Sequence, residues 1–391
     1  MVFELREWQK QALDKLLESK VMLAEVATGC GKTFFAIQFI RKLIDENPDM
    51  KFLVVVPKLV IMNGWLKELY VFFGVDKLSC FYGEVKEYSQ IMITTTSSLS
   101  NVVTDVFDVL IIDEAHNFFS KRLMSIIKQE HWKYKLGLSA TIYNKNYSHM
   151  ELEKEFQFNK FTYDIAEGIK DGVLNKYEWC DIEITLDNIS QSEYEEIAAS
   201  LRQTLAMCGG FERYLKLPAN DPRKAKINKL FDSRNKLIYN YKMKFEALRA
   251  TVDANRHRKI IIFNQYNATA DLIVQELNKI KIDSRVINSS LEEKEKTKRI
   301  DDFNNNKFNV LVTTKMFDEG YNLEALDLAI IFSGESNVKQ SIQRVGRILR
   351  LKKYNSRVFQ IYCVKTFEEK FAETRTNYFK EIAEKYNKLE W

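Results

Sequence analysis

Two stretches of the chain alternate short apolar runs with amphipathic segments, and this alternation limits the possible folds more than any other feature. In the first, "VMLAEV", "KFLVVVP", "IMITT", "FDVLIIDEAH" and "YKLGLSAT" read as strands. "FFAIQFIRKLIDEN", "IMNGWLKELYVFF" and "RLMSIIKQ" read as helices between them. Apolar strands separated by helices make a parallel sheet covered on both faces. An amphipathic helix, "REWQKQALDKLLES", precedes the block. The alternation weakens after about Tyr163 and returns at "KIIIFNQYN", continuing through "SRVINSS", "FNVLVTT", "LDLAIIFS" and "RVFQIYCV". The expected fold is therefore α/β, with two parallel-sheet domains at 1–165 and 256–391. The segment 166–255 between them holds one linker strand, "EWCDIEITLD", and a helical insertion.

The length of 391 residues suits such a division, and 46% hydrophobic composition is enough to bury two cores. No apolar run reaches the roughly 18 residues that span a bilayer. The first residues, "MVFELREWQK", carry no apolar signal core. The five cysteines are scattered and form no C-x-x-C pair. A cytoplasmic protein without a membrane partner is expected.

The net charge is +5, but it is unevenly placed. Arg202 to Lys259 contains fifteen Lys/Arg and five Asp/Glu. In the second helix of this segment, Ile227, Leu230, Phe231, Ile238, Tyr241, Phe245 and Leu248 recur at helical spacing, so the lysines and arginines between them are expected to face outward. A concentrated basic surface points to a polyanion. Arg223, Lys224, Lys226 and Lys229 are its candidate phosphate contacts, against the plainer reading of a solvated helical face.

"VMLAEV" leads into "ATGCGKT", residues 27–33, and a helix follows. A strand, a Gly-rich turn and Lys-Thr opening a helix form the setting of a phosphate-binding loop. The general pattern G-x-x-x-x-G-K-[ST] has glycine where Val26 stands, so the loop alone leaves a chance Gly-Lys-Thr open. Thr28, Gly29, Cys30 and Gly31 would wrap phosphate with backbone N–H groups at the helix N-terminus. Lys32 would reach the outer phosphates, and the Thr33 hydroxyl would bind magnesium. At the helix N-terminus, Cys30 is expected to have a lowered thiol pKa. Its alkylation is then expected to abolish activity, with ATP protecting it. A nucleotide hydrolase also needs an acid for magnesium and a base for the attacking water. "VLIIDEAH" supplies Asp113 and Glu114 at the end of an apolar strand, and this second site makes the ATP and Mg2+ reading the better one.

"ATGCGKT", "DEAH", "GLSAT" and "QRVGRILR", in that order, resemble the motifs of the superfamily 2 helicases and translocases. That family commonly reads A-T-G-x-G-K-T in its first loop, which accounts for Val26. The resemblance runs from Arg6 to Arg350 and implies two tandem RecA-like domains with a helical insertion between them. It implies that Gln9, supported by Arg6, recognises adenine. It implies that Pro57, Lys58, Thr94 and Thr95 touch the nucleic-acid backbone from the first domain, and Gln265, Thr313 and Thr314 from the second. Ser139, Ala140 and Thr141 would couple hydrolysis to that grip. Gly320 would lie near the nucleotide. Asn322 would bond the ribose, although relatives have aspartate there. Gln343, Arg347 and Arg350 would share one helix face, the arginines reaching the γ-phosphate. These implications describe a nucleic-acid-stimulated ATPase, with DNA favoured over RNA. "DEAH" also occurs in RNA helicases, but those usually carry further C-terminal domains, which are not expected in the about forty residues after "QRVGRILR". A monomer is expected, with a motor subunit of a larger restriction, defence or repair complex left open.

Overall fold

The computed structural model describes residues 4–118, 120–142, 148–314, 323, 326–334, 338–352 and 355–391. The chain divides into two compact units. One takes in the described residues up to Asn175 together with Ile342–Leu351, and the other the remaining described residues.

The first unit is built on an eight-stranded sheet. From edge to edge its strands are Val85–Lys86, Leu78–Tyr82, Ile91–Thr95, Phe52–Val56, Val109–Ile112, Tyr134–Ser139, Val21–Val26 and Lys160–Tyr163. All pairs are parallel except the short outer one between Leu78–Tyr82 and Val85–Lys86. "FLVVV" and "VLII" are buried at every position, as strands covered on both faces must be. Parallel pairing puts all the strand carboxyl ends on one edge. Because Val109–Ile112, Tyr134–Ser139 and Val21–Val26 are neighbours, that edge collects Asp113, Ala140 and the loop from Ala27. Ligands of open α/β sheets bind at such an edge.

The second unit has a seven-stranded, wholly parallel sheet. Tyr177–Ile184, read from sequence as a linker strand, is an integral member between Ser356–Cys363 and Lys385–Glu390. The last of these strands, "KYNKLE", lacks the apolar alternation that sequence reading relies on. It lies on the sheet edge, largely exposed, and its lysines are a usual protection of an open edge.

The helical segment comprises Asn188–Met207, Phe211–Lys216, Pro222–Tyr239 and Lys242–Asp253. The last helix packs Phe245, Leu248 and Val252 into the sheet core. Its basic residues therefore do not all face outward as expected. Lys244 is fully buried, over the rings of Tyr239 and Phe332, and its ammonium pairs with both oxygens of Glu368 at 2.7 and 2.8 Å. Lys259 is also buried and donates to the carbonyls of Phe303 and Asn304. The outward basic surface is correspondingly smaller than the charge count implied. Among the described residues no helix is long and apolar enough to cross a membrane.

Candidate nucleotide site

The loop after Val26 turns through two left-handed glycines, Gly29 at φ +89° and Gly31 at φ +96°. L side chains rarely adopt such angles, so glycine is required here for the chain to curl before the helix Lys32–Glu46. Lys32 bends back across the loop and donates to the Val26 carbonyl at 2.9 Å. Two side chains at the start of the first helix, Glu7–Ser19, brace the loop: the cap residue Arg6 and Gln9. Arg6 donates to the Cys30 carbonyl at 2.7 Å, and the Gln9 amide donates to the Gly31 carbonyl at 3.1 Å. The Gln9 oxygen accepts from the Arg6 backbone N–H at 2.9 Å. Gln9 is buried, and these bonds use one of its two amide hydrogens and one lone pair of its oxygen.

Cys30 differs from the sequence expectation. Its thiol is buried, and a Cβ placed at Gly168 would sit 3.1 Å from its sulfur. Burial pushes the thiol up to about 11, outweighing the nearby Lys32 and Arg6 charges. With the thiol at about 11, roughly one molecule in a thousand carries thiolate at pH 8. Maleimide is therefore expected to leave Cys30 unmodified over minutes in the native state, as read by peptide mass mapping. Rapid Cys30 labelling would contradict its burial.

Asp113 follows the strand Val109–Ile112 and is 8% exposed. Burial raises its carboxyl above the usual carboxylate range. A hydrogen bond from Trp65, the Lys32 ammonium and the Glu114 N–H oppose that rise. The Trp65 indole donates to Oδ2 at 2.8 Å. Trp65 belongs to the helix Leu59–Phe73 that begins just after Pro57 and Lys58. Sequence reading missed this contact, because 48 residues separate the partners and a lone tryptophan reads as core.

Glu114 sits in the left-handed region, at φ 50° and ψ 49°. A non-glycine residue held there stores strain of order 1–3 kcal/mol, a feature that clusters at functional sites. Its carboxylate lies 3.2 Å from His116 Nδ1, and the same nitrogen lies 2.9 Å from Ser139 Oγ. Ser139 Oγ donates to the Thr141 carbonyl at 2.6 Å and accepts from the Thr141 N–H at 3.2 Å. The single serine hydrogen is thereby used, so His116 Nδ1 must be the donor to Ser139. The "DEAH" carboxylate and the "SAT" turn thus lie against the same imidazole nitrogen, which is hydrogen-bonded to the serine. Beyond the turn, the Ile142 N–H donates to Glu25 at 2.8 Å, and Glu25 also pairs with Lys160. This fixes the exit of the turn to the strand that feeds the phosphate loop.

The segment Ile342–Leu351 lies against the same loop. A Cβ at Gly346 would stand 2.8 Å from Thr28 Cβ and 3.1 Å from the Thr28 carbonyl, so only glycine permits this approach. The helix here ends at Ile348, which corrects the expectation that Gln343, Arg347 and Arg350 share a helix face. The Asn175 N–H takes the Leu349 carbonyl at 2.6 Å, and Arg350 forms an isolated antiparallel bridge with Leu174. That pairing draws residues 349 and 350 off the helix. Arg350 nevertheless lies at the loop, its Cγ 3.6 Å from where a Gly29 Cβ would be. Arg347 is half-buried on the last helical turn. The Gln343 side chain, Gly320 and Asn322 lie outside the described residues.

Residues 2–144 match the family described as "Type III restriction enzyme, res subunit", and residues 243–352 match "Helicase conserved C-terminal domain". The chain is a superfamily 2 helicase. It is 24% identical over 381 residues to a protein of Sulfurisphaera tokodaii named DNA 3'-5' translocase XPB2, covering 95% of this chain and 84% of that one. Its fold is similar to the Pyrococcus furiosus Hef helicase domain, with a TM-score of 0.68, 18% identity and coverage of 95% and 98%. It is also similar to Saccharomyces cerevisiae Dbp5 bound to RNA, with a TM-score of 0.65, 15% identity and coverage of 98% and 89%. Members of these helicase families are nucleic-acid-stimulated ATPases, and that is the activity of this one.

The residues this helicase was expected to lay on nucleic acid are placed unevenly. Lys58 is exposed at the start of its helix, beside half-buried Pro57. Thr94 is fully buried, and its hydroxyl donates to the Phe81 carbonyl at 2.8 Å. Thr95 is 3% exposed, its hydroxyl bonded to Ser97 and Ser98. Both threonines still belong to the strand, where side chains face the packed layers, so their hydroxyls are not offered outward as expected. Ser97, two residues after Thr95, is exposed. In the second unit Thr313 and Thr314 are buried, with the Thr313 hydroxyl on the Thr314 carbonyl. Gln265 accepts from the Tyr239 hydroxyl at 2.9 Å. On the basic helix, Arg223 pairs with Asp221 and Lys224 donates to the Leu217 carbonyl, while Lys226 and Lys229 are exposed.

Proposed function

We propose that this helicase is an ATP-driven translocase on DNA. The observation that carries the reading is the joined set Glu114, His116, Ser139 and Thr141 at the strand ends beside the phosphate loop. In the proposed mechanism Glu114 orients and deprotonates the attacking water. As Glu114 takes up that proton it loses the negative charge that faces His116, the ring bonded to Ser139. The "SAT" turn therefore responds to the state of the hydrolysis site. Lys32 and the backbone N–H groups of Gly29 to Thr33 hold the phosphates, and Arg347 and Arg350 add positive charge from the far side of the loop. Gln9 pairs with adenine, and Asn322 and Gly320 complete the nucleotide contacts.

Magnesium, held by Asp113 and Thr33, would neutralise charge on the phosphates. Among the described residues no three His, Cys, Asp or Glu side chains gather to hold a metal alone, so phosphate oxygens would be needed as further ligands. Trp65 orients the Asp113 carboxylate for this task. Trp65→Phe keeps the ring but removes the donor. It is expected to raise the magnesium concentration for half-maximal nucleotide binding about tenfold, the usual scale for a lost bond to a metal-holding carboxylate. A titration with a fluorescent ATP analogue reads this, and an unchanged requirement would leave the indole a space-filling role only.

The segments 1–165, 166–255 and 256–391 divide the labour between ATPase, auxiliary grip and second backbone grip. Lys58, Ser97 and Gln265 meet the backbone, with Lys226 and Lys229 adding charge. The DNA preference is supported by the similarity along 95% of the chain to a protein named as a DNA translocase. The test is steady-state ATPase with no nucleic acid, with single-stranded, duplex and forked DNA, and with single-stranded RNA. Stimulation by DNA beyond that by RNA is expected. Stimulation by RNA alone would reverse the assignment. No stimulation would point to a motor subunit that needs a protein partner.

A further inference from the structure

The helical segment carries a surface that neither the ATPase site nor the phosphate grip uses. Asn188–Met207 and Pro222–Tyr239 pack together, with Phe211–Lys216 across their far end. Leu201, Cys208 and Ile227 form a small core of their own, joined by Leu205, Tyr214, Leu217, Leu230 and Phe231. Three large apolar side chains at this end lie outside that core. Met207 is 75% exposed, Phe211 53% and Leu215 58%. Phe211 and Leu215 are one helical turn apart and so share a face. The Phe211 ring is 5.6 Å from Tyr214 and 6.4 Å from Phe231, which holds it up at the end of an aromatic cluster. The turn before it is Gly209-Gly210, at φ +89° and +94°.

Single exposed apolar residues need no explanation, but a grouped set does. The charge around this one narrows the choice of occupant. Arg202 to Lys229 holds seven Lys/Arg and two Asp/Glu. Arg202, Arg213, Lys216, Lys226 and Lys229 are all exposed. A second copy of the chain would bring like charges together, so self-association is disfavoured. An intact duplex would meet the cations with its phosphates but leaves its base faces stacked away from an apolar tip. Unpaired nucleotides offer both the anionic backbone and open aromatic faces, and aromatic side chains in a basic setting take them.

We propose that the tip formed by Met207, Phe211 and Leu215 binds unpaired bases, with Arg213, Lys216 and Lys226 on the adjoining phosphates. The proposal rests on the nucleic-acid reading above and deepens it. It gives this motor a contact with the single strand at a duplex junction, where a side chain on the base faces opposes re-pairing.

The test compares the full chain with Phe211→Ala, Phe211→Trp and Lys226→Glu/Lys229→Glu. Affinity for a single-stranded oligonucleotide and a blunt duplex is measured by anisotropy, with 2-aminopurine in the single strand as a stacking reporter. Phe211 is exposed, so its two variants should fold, and their duplex-stimulated ATPase checks that they do; circular dichroism checks the lysine variant. Phe211→Ala is expected to weaken single-strand binding about tenfold and to lose the 2-aminopurine quench, while duplex binding changes less than about twofold. Phe211→Trp should restore both. The lysine variant should weaken both ligands and flatten the salt dependence. Equal single-strand binding and quench in Phe211→Ala and wild type would overturn the proposal while leaving the motor reading intact. So would a dimer of the wild type that Phe211→Ala dissolves, because the face would then be occupied by a second copy. A wild type that binds no nucleic acid would overturn both.

Discussion

Glu114→Gln is expected to lower the rate of ATP hydrolysis by about two to four orders of magnitude while nucleotide binding changes little. Glutamine keeps the size of the side chain and an oxygen to face His116. It cannot accept the proton of the attacking water. The backbone reason for a large effect is the left-handed conformation of residue 114, which holds the carboxyl where an ordinary strand exit would not. Since the Asp113 N–H and carboxyl contacts do not involve the Glu114 side chain, the phosphate and metal contacts should survive the change. Parallel measurement of kcat and of nucleotide Kd separates the two. A variant that loses binding as much as turnover would mean that residue 114 shapes the pocket instead of acting on water.

Arg350→Ala is expected to lower kcat by about a thousandfold or more, the scale on which a transition-state arginine acts in phosphoryl transfer. The structure brings this residue to the loop by backbone pairing with Leu174 and by the close approach that Gly346 allows at Thr28. Arg350→Lys tests the geometry further. Lysine keeps the charge but lacks the planar fork of donors, so it should recover only a small part of the loss. Single-turnover hydrolysis with prebound nucleotide reads the chemical step directly. If Arg350→Ala slowed hydrolysis less than about tenfold, its place beside Gly29 would be structural, and Arg347 would be left as the catalytic cation.

Much of this arrangement could be read from the chain. The strand runs are apolar enough to be read directly, and the ordered motifs point to the family. What they could not supply was the neighbourhood. Trp65 reads as one more core residue until the fold brings its indole to Asp113. Gly346 reads as a helix-weakening glycine until Thr28 is found against it. Cys30 departs from its expectation because burial of the thiol outweighs the positive charges beside it, and burial is not visible in a motif. Lys244 was misread because helical spacing shows which residues share a face but not what covers the opposite face. Thr94 fell one residue inside the strand, where its hydroxyl turned to the sheet. Lys385–Glu390 escaped notice because an edge strand need not be apolar.

The central claim is that hydrolysis at this site drives movement along DNA. Displacement of a labelled third strand from a DNA triplex measures that movement without requiring strands to be separated. The account predicts displacement that needs ATP, stops with Glu114→Gln and persists in Phe211→Ala. DNA-stimulated hydrolysis with no displacement, from either end of the duplex, would contradict it.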